Sequence, residues 1–122
     1  GAAAGAATGV SAIDPQYFGL APVEAVNRAL AKAGKGFDDL SVLELNEAFA
    51  AQVLGCLAEW PDLDPAVLNP QGGAIALGHP LGASGARLAG TVAHQLARQG
   101  GGVGVATLCI GVGQGLALVL ER

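Results

Sequence analysis

The chain has 122 residues, of which 20 are glycine, 52% hydrophobic and 13% charged, and its formal net charge is −4. That apolar share excludes a disordered tail, and the length suits one domain around one core. The basic residues Arg28, Lys32, Lys35, Arg87, Arg98 and Arg122 are scattered, so the basic stripe that displaces counterions from nucleic acid is missing. Gly and polar residues break every apolar run before it reaches bilayer length, and no basic start leads into an apolar stretch. A cytoplasmic protein without a membrane partner is the expectation. Cys56 and Cys109 are far apart and no Cys or His pair has zinc spacing, so neither a disulfide framework nor a metal site is expected.

In chain order, Gly1 to Val10 is almost all Gly and Ala and reads as a frayed or truncated start. Ala21-Pro22 opens a helix, with Val23, Val26, Leu30 and Ala33 at helical spacing and Gly34 as its stop. Ser41 to Leu45 reads as a strand. Glu47 to Trp60 reads as a helix with Phe49, Val53, Cys56, Leu57 and Trp60 on one face, ended by Pro61. Pro61 to Gly82 is loop-rich, and its apolar piece Ala74 to Leu77 fits a strand or a buried turn. Ser84 to Gln99 reads as a helix with Leu88, Val92 and Leu96 inward and Arg87, Thr91, His94 and Arg98 on the solvated side. Val103 to Ile110 reads as a buried strand, Gly111 to Gly115 as a turn, and Leu116 to Glu121 as its antiparallel neighbour. The order strand, helix, strand, helix, loop, helix, strand, strand gives an α/β fold: a mixed sheet with helices packed on its faces.

Few residues carry chemistry. His79 lies in Gly78-His79-Pro80, where proline holds the preceding backbone extended and small neighbours leave the ring room for a ligand. The bland alternative is a loop imidazole in water; the surrounding glycines and the helix that follows favour function. His94 falls on a solvated helix face and is assigned no chemistry. Cys56 falls on an apolar helix face and reads as a small hydrophobe. Cys109 ends a strand that opens into Gly111-Val112-Gly113-Gln114-Gly115, a place where α/β sheets carry reactive groups, although a buried structural cysteine fits equally. Asn46 is either a helix N-cap or an amide that orients a water or a substrate carbonyl, and Glu47 in the first turn complements a helix dipole. The glycines do not form a nucleotide loop, because Gly111 to Gly115 leads into a strand and a dinucleotide fingerprint must open a helix. Together His79, Cys109, Asn46 and the glycine N–H groups suit acyl chemistry through a thiolate and an oxyanion hole.

Three segments together resemble the C-terminal half of a thiolase: Asn46-Glu47-Ala48-Phe49-Ala50, the run Gly72 to Gly85 that contains Gly78-His79-Pro80, and Cys109-Ile110-Gly111-Val112-Gly113-Gln114-Gly115. Tyr17-Phe18-Gly19-Leu20-Ala21-Pro22 is similar to the segment before the first helix of that half. The resemblance runs from about Asp14 to the end and is closest to the 3-oxoadipyl-CoA and acetyl-CoA acyltransferase branches. It implies one thiolase C-terminal domain over residues 1–122, with 1–13 a truncated or poorly ordered start.

The resemblance also implies a reaction: 3-oxoacyl-CoA plus CoA gives acetyl-CoA and a shortened acyl-CoA, or the reverse Claisen condensation, within fatty acid or aromatic degradation. It implies coenzyme A as substrate, no tightly bound cofactor, and a homo-oligomer in the full enzyme. By motif, His79 activates a nucleophilic cysteine and donates to the thioester oxygen, and Asn46 holds a water at that oxyanion site. Cys109 moves the α-proton, and the N–H of Gly111 forms part of a second oxyanion hole. The family's nucleophile lies in an N-terminal half, and neither Cys56 nor Cys109 occupies its motif, so this chain alone is expected to be inactive. Phe18 stands where the family often has Met, Gln71 where it often has Asn, and Val112 where it often has Gly. A non-catalytic thiolase-like module that binds acyl-CoA or lipid is the alternative; a binder has no need of Asn46, His79 and Cys109 together.

Overall fold

The strands contain many Val, Leu and Ala residues, and side chains on a strand alternate between the two sheet faces. The computed structural model describes residues 3–122 and builds them into one four-stranded sheet. Its strands are β1 (Ala4–Ala12), β2 (Leu40–Leu45), β3 (Val103–Ile110) and β4 (Gln114–Glu121), in the spatial order β1-β4-β3-β2. β3 and β4 pair antiparallel, β4 pairs antiparallel with β1, and β2 pairs parallel with β3. The chain joins β2 to β3 through α2 (Ala50–Glu59), the single turn α3 (Ala74–Leu77) and α4 (Ser84–Arg98), as a parallel pair requires. α1 (Ala21–Ala33) connects β1 to β2.

Two apolar layers hold the sheet. On one face Val26, Leu30, Leu43, Leu45, Cys56, Trp60, Val105 and Val119 pack together; on the other, Leu88, Val92 and Leu96 of α4 cover Val42, Ala106 and Leu120. β3 lies under both layers and is therefore apolar on both faces instead of alternating, except at Thr107, whose buried hydroxyl donates to the Leu116 carbonyl. The helices approach closely where side chains are absent. A Cβ at Gly104 would lie 2.5 Å from Val92 Cγ1, and one at Gly9 would overlap the Ala25 carbonyl oxygen of α1.

That second contact explains a correction. The start read as frayed is, over Ala4–Ala12, a strand paired with β4 from Ala4↔Glu121 to Ala12↔Gln114, with a register shift between Gly5 and Ala7. Its small residues are what admit α1, and backbone pairing replaces side-chain packing as the source of its order. Gly1 and Ala2, part of the same reading, lie outside the described residues. α1, β2, α4 and β3 lie within a residue of their expected spans. α2 begins at Ala50 instead of Glu47, because Phe49 is extended and Asn46 and Glu47 are engaged elsewhere. Phe49 accordingly leaves the buried face and is 60% exposed. Ala74–Leu77 is a helical turn with Ile75 and Leu77 exposed, neither a strand nor a buried turn. β4 starts two residues early, at Gln114. No helix among the described residues is long and apolar enough to cross a membrane.

Val112 has φ 61° and ψ 31°, a left-handed conformation that penalises a β-branched side chain. Two stability outcomes follow, both read by chemical or thermal denaturation. Val112→Gly should stabilise the chain by about 1 kcal/mol, since the exposed side chain packs little. Gly9→Ala should cost about 2 kcal/mol through overpacking against α1; an unchanged midpoint would contradict that close approach.

Candidate functional site

β2 ends at Leu45 and the chain continues its pairing for one residue, with Asn46 N–H donating to the Thr107 carbonyl at 3.0 Å. Asn69 clamps this strand end through two bonds: its Oδ1 accepts from Leu45 N–H at 2.9 Å, and its Nδ2 donates to the Leu45 carbonyl at 3.0 Å. Asn46 is fully buried, with Nδ2 3.3 Å from His79 Nε2 and Oδ1 without a protein hydrogen-bond partner. It is not the helix cap, a place that Phe49 takes. Glu47 is not a dipole partner either: its carboxylate accepts from Ile75 N–H at 3.0 Å and from Asn69 Nδ2 at 3.2 Å, tying the loop before His79 to the end of β2.

His79 sits half-buried between Gly78, at φ 92°, and Pro80. Its Nδ1 is 2.5 Å from Oγ of Ser84, the first residue of α4, which is itself fully buried. Sequence reasoning missed Ser84, Asn69 and the bridging role of Glu47. For Ser84 there was a signal: it occupies the first place of the inward stripe Ser84, Leu88, Val92 and Leu96. Asn69 had none, because its partner is remote along the chain.

His79, Cys109 and Gly111 open on one cavity of about 510 Å³, walled by Phe18, Phe49, Leu81, Ile110 and the chain at Ala48 and Leu108. Phe18 and Phe49 meet edge to face with centroids 6.2 Å apart. Asn46 stands behind His79, in contact with the ring, and does not itself line this space. The four candidate residues thus gather at one edge of the sheet, three on the cavity and one beneath it. Burial pushes the Cys109 thiol up from its ordinary value, so it carries a proton near neutrality. Cys56 is deeply buried, its Sγ donating to the Gly19 carbonyl, and burial pushes it up to about 12.

A second cavity, of about 410 Å³, is lined by Gln71, Arg87, Thr91, His94, Gln95 and Arg98. Arg87 departs from the solvated-face reading: it is half-buried, and its Nε and Nη2 have no protein partner. On the neighbouring strand Glu44 is fully buried, one carboxylate oxygen accepting from Gln95 Nε2 at 2.7 Å and the other unpartnered. Burial raises this carboxyl above the usual range, with Gln95 and Arg87 opposing.

Fold and cavity together describe an α/β domain that presents an imidazole, a protonated thiol and a glycine turn at the carboxyl ends of the parallel strands β2 and β3. The sequence family described as "Thiolase, C-terminal domain" matches residues 2–122. The chain belongs to the thiolase family, as its C-terminal part. It is 55% identical over 118 residues to a 3-oxoadipyl-CoA/3-oxo-5,6-dehydrosuberyl-CoA thiolase of Escherichia coli, covering 95% of this chain and 29% of that protein. It is 54% identical over 111 residues to a beta-ketoadipyl-CoA thiolase of Pseudomonas aeruginosa, covering 90% of this chain and 28% of that protein. Among solved structures, the human mitochondrial 3-ketoacyl-CoA thiolase in complex with CoA superposes with a TM-score of 0.94 at 45% identity, over 98% of this chain and 30% of that one. The chain therefore spans less than a third of the length of these relatives.

The two thiols give a direct test. With a neutral alkylating reagent, Cys109 should react more slowly than free cysteine, and its rate should keep climbing past the pH where an ordinary thiol levels off. Cys56, with a thiolate fraction of about one in ten thousand at pH 8, should stay unmodified in the folded chain. A Cys109 rate that levels off below the ordinary thiol value, followed by mass spectrometry, would contradict its desolvation.

Proposed function

We propose that residues 1–122 act as one thiolase C-terminal domain that supplies acid–base and oxyanion groups for acyl transfer between CoA thioesters. The observation that carries this reading is the arrangement of His79, Cys109 and Gly111 on one cavity, with Asn46 3.3 Å behind the imidazole. The substrate class is 3-oxoacyl-CoA with free CoA, the products acetyl-CoA and a shortened acyl-CoA, and the reverse condensation uses the same groups. The names of the relatives support 3-oxoadipyl-CoA-like substrates. Coenzyme A is a substrate here, and the reaction needs no tightly bound cofactor. The nucleophilic cysteine comes from an N-terminal part, which packs with this chain in a cytoplasmic homo-oligomer; without it the chain is inactive.

His79 Nε2 takes the proton of the nucleophilic thiol, and the thiolate attacks the 3-oxo carbon. The bond between that carbon and the α-carbon breaks, leaving an acyl-cysteine and the enolate of acetyl-CoA. Cys109 protonates the enolate at the α-carbon, and the Gly111 N–H supports its oxygen. Cys109, now a thiolate, takes the proton of incoming CoA, whose sulfur displaces the acyl group; the enzyme cysteine recovers its proton from His79. Burial suits Cys109 to this role, since a thiol kept protonated near neutrality is a ready acid. The buried Asn46 Oδ1, free of protein partners, is able to accept from a water that donates to the thioester oxygen beside His79. Donors fixed where charge develops lower the barrier by about 3 kcal/mol each.

The chain should be combined with the N-terminal portion of a thiolase relative and acetoacetyl-CoA cleavage followed. Activity should appear, and His79→Ala and Cys109→Ala should each reduce kcat by at least about a hundredfold. Unchanged activity in both variants would contradict the site. Alone, the chain should bind an apolar dye, because Leu81, Val112, Ile75 and Leu77 are exposed, and this signal should fall when the N-terminal portion is added.

A further inference from the structure

The loop that carries His79 closes on itself through one carbonyl. Pro80 O accepts from Ala83 N–H at 2.8 Å, from Ser84 N–H at 2.9 Å and from the Ser84 hydroxyl at 3.2 Å. A serine hydroxyl has one hydrogen, and both Pro80 O and His79 Nδ1 lie within its reach. When that hydrogen goes to Pro80, the side of Ser84 Oγ that faces His79 Nδ1 at 2.5 Å is a lone pair, the partner that an N–H on Nδ1 needs. At the other end of the ring, Asn46 Nδ2 is a donor only, so the Nε2 atom 3.3 Å away meets it with a lone pair. The Asn46 contact thus selects a neutral ring protonated on Nδ1 with its lone pair on Nε2, and the Ser84 hydroxyl is placed to accept that Nδ1 proton.

We infer that Ser84 is a positioning residue that holds the proton on Nδ1 of His79, leaving Nε2 as the basic nitrogen beside the cavity. Its burial matters: a fully buried hydroxyl cannot exchange partners with water, so the sense of the chain from Nδ1–H to Ser84 Oγ–H to the Pro80 carbonyl is kept. The functional weight of this assignment rests on the acyl-transfer reading above. There, a ring with its proton on Nε2 has no lone pair for the thiol hydrogen. With Nδ1 already protonated, gain of a proton at Nε2 produces an imidazolium whose far N–H remains bonded to Ser84, and no ring flip is needed during the cycle.

The test uses the full chain with 15N-labelled histidine, and the two ring nitrogens are read by NMR above the titration midpoint. The chain has only two histidines, and His94, exposed on α4, serves as the internal reference. In the unmodified protein His79 should show its proton on Nδ1, while His94 shows the mixture of a ring in water. Ser84→Ala should shift His79 toward the Nε2–H form without moving His94, and Ser84→Thr, which keeps the hydroxyl, should restore the original pattern. The unmodified protein alone decides the matter if the variants fail to fold: a proton found on Nε2 overturns the assignment. So does a Ser84→Ala ring with an unchanged tautomer. With the N-terminal portion added, Ser84→Ala should lower kcat about tenfold to a hundredfold at nearly constant KM. A ring protonated on Nδ1 in an assembly with no thiolase activity supports the Ser84 assignment and defeats the acyl-transfer reading, so the two are separable.

Discussion

The parallel pairing of β2 with β3 is the constraint on which the site depends. Parallel neighbours end at the same edge of a sheet, so Asn46, one residue beyond β2, and Cys109, near the end of β3, are brought to one side although they are far apart in sequence. The crossover between them completes the arrangement. The chain leaves β2 at the carboxyl edge and must return to the opposite edge to begin β3, so α4 runs against the strands and its first turn lies at the carboxyl edge. That turn carries Ser84, and the loop before it carries His79. The α/β rule that ligands gather at the carboxyl ends of strands is, in this chain, a consequence of one crossover.

Polar groups are placed at a cost to the fold. Asn46 is fully buried with one amide oxygen unpartnered, and Glu44 is fully buried with one carboxylate oxygen unpartnered. Each costs about 1–3 kcal/mol of desolvation that an apolar residue of similar shape avoids. Both lie on the α4 side of β2, with Val42 two residues before Glu44 showing the apolar alternative on the same face. The ledger is offset by the packing of Leu88, Val92 and Leu96 and by clamps such as Asn69 on Leu45 and Glu47 on Ile75. Local rules fail around Asn46 and Val112, both of which flank the cavity residues. Such clustering is expected where function competes with stability.

Much of this was legible in the sequence because it depends on local physics. The apolar stripe of α4, the stop at Gly34 and the mostly apolar run of β3 each follow from side-chain periodicity and glycine conformation. His79, Cys109 and Asn46 were visible as chemistry beside small residues, and the separation of His79 from His94 followed from helix phase. What escaped depends on partners that are remote in sequence. β1 is made of residues with little intrinsic strand preference and gains its order from β4, over a hundred residues away at Ala4↔Glu121. Asn46 and Glu47 were read through the helix after them, when their actual partners are His79, Ile75 and Asn69. Ser84 looked like an ordinary small residue until its hydroxyl was placed 2.5 Å from the imidazole.

The most direct test of the shared edge uses a nitroxide attached to Cys109, the more accessible of the two thiols. Relaxation of the two histidine rings then reports their separation from that label. The account predicts severe broadening of His79 and much weaker broadening of His94, which lies ten residues further along α4 than Ser84. Equal broadening of the two rings, or a sharp His79 beside a broadened His94, would contradict the convergence of imidazole and thiol on one cavity.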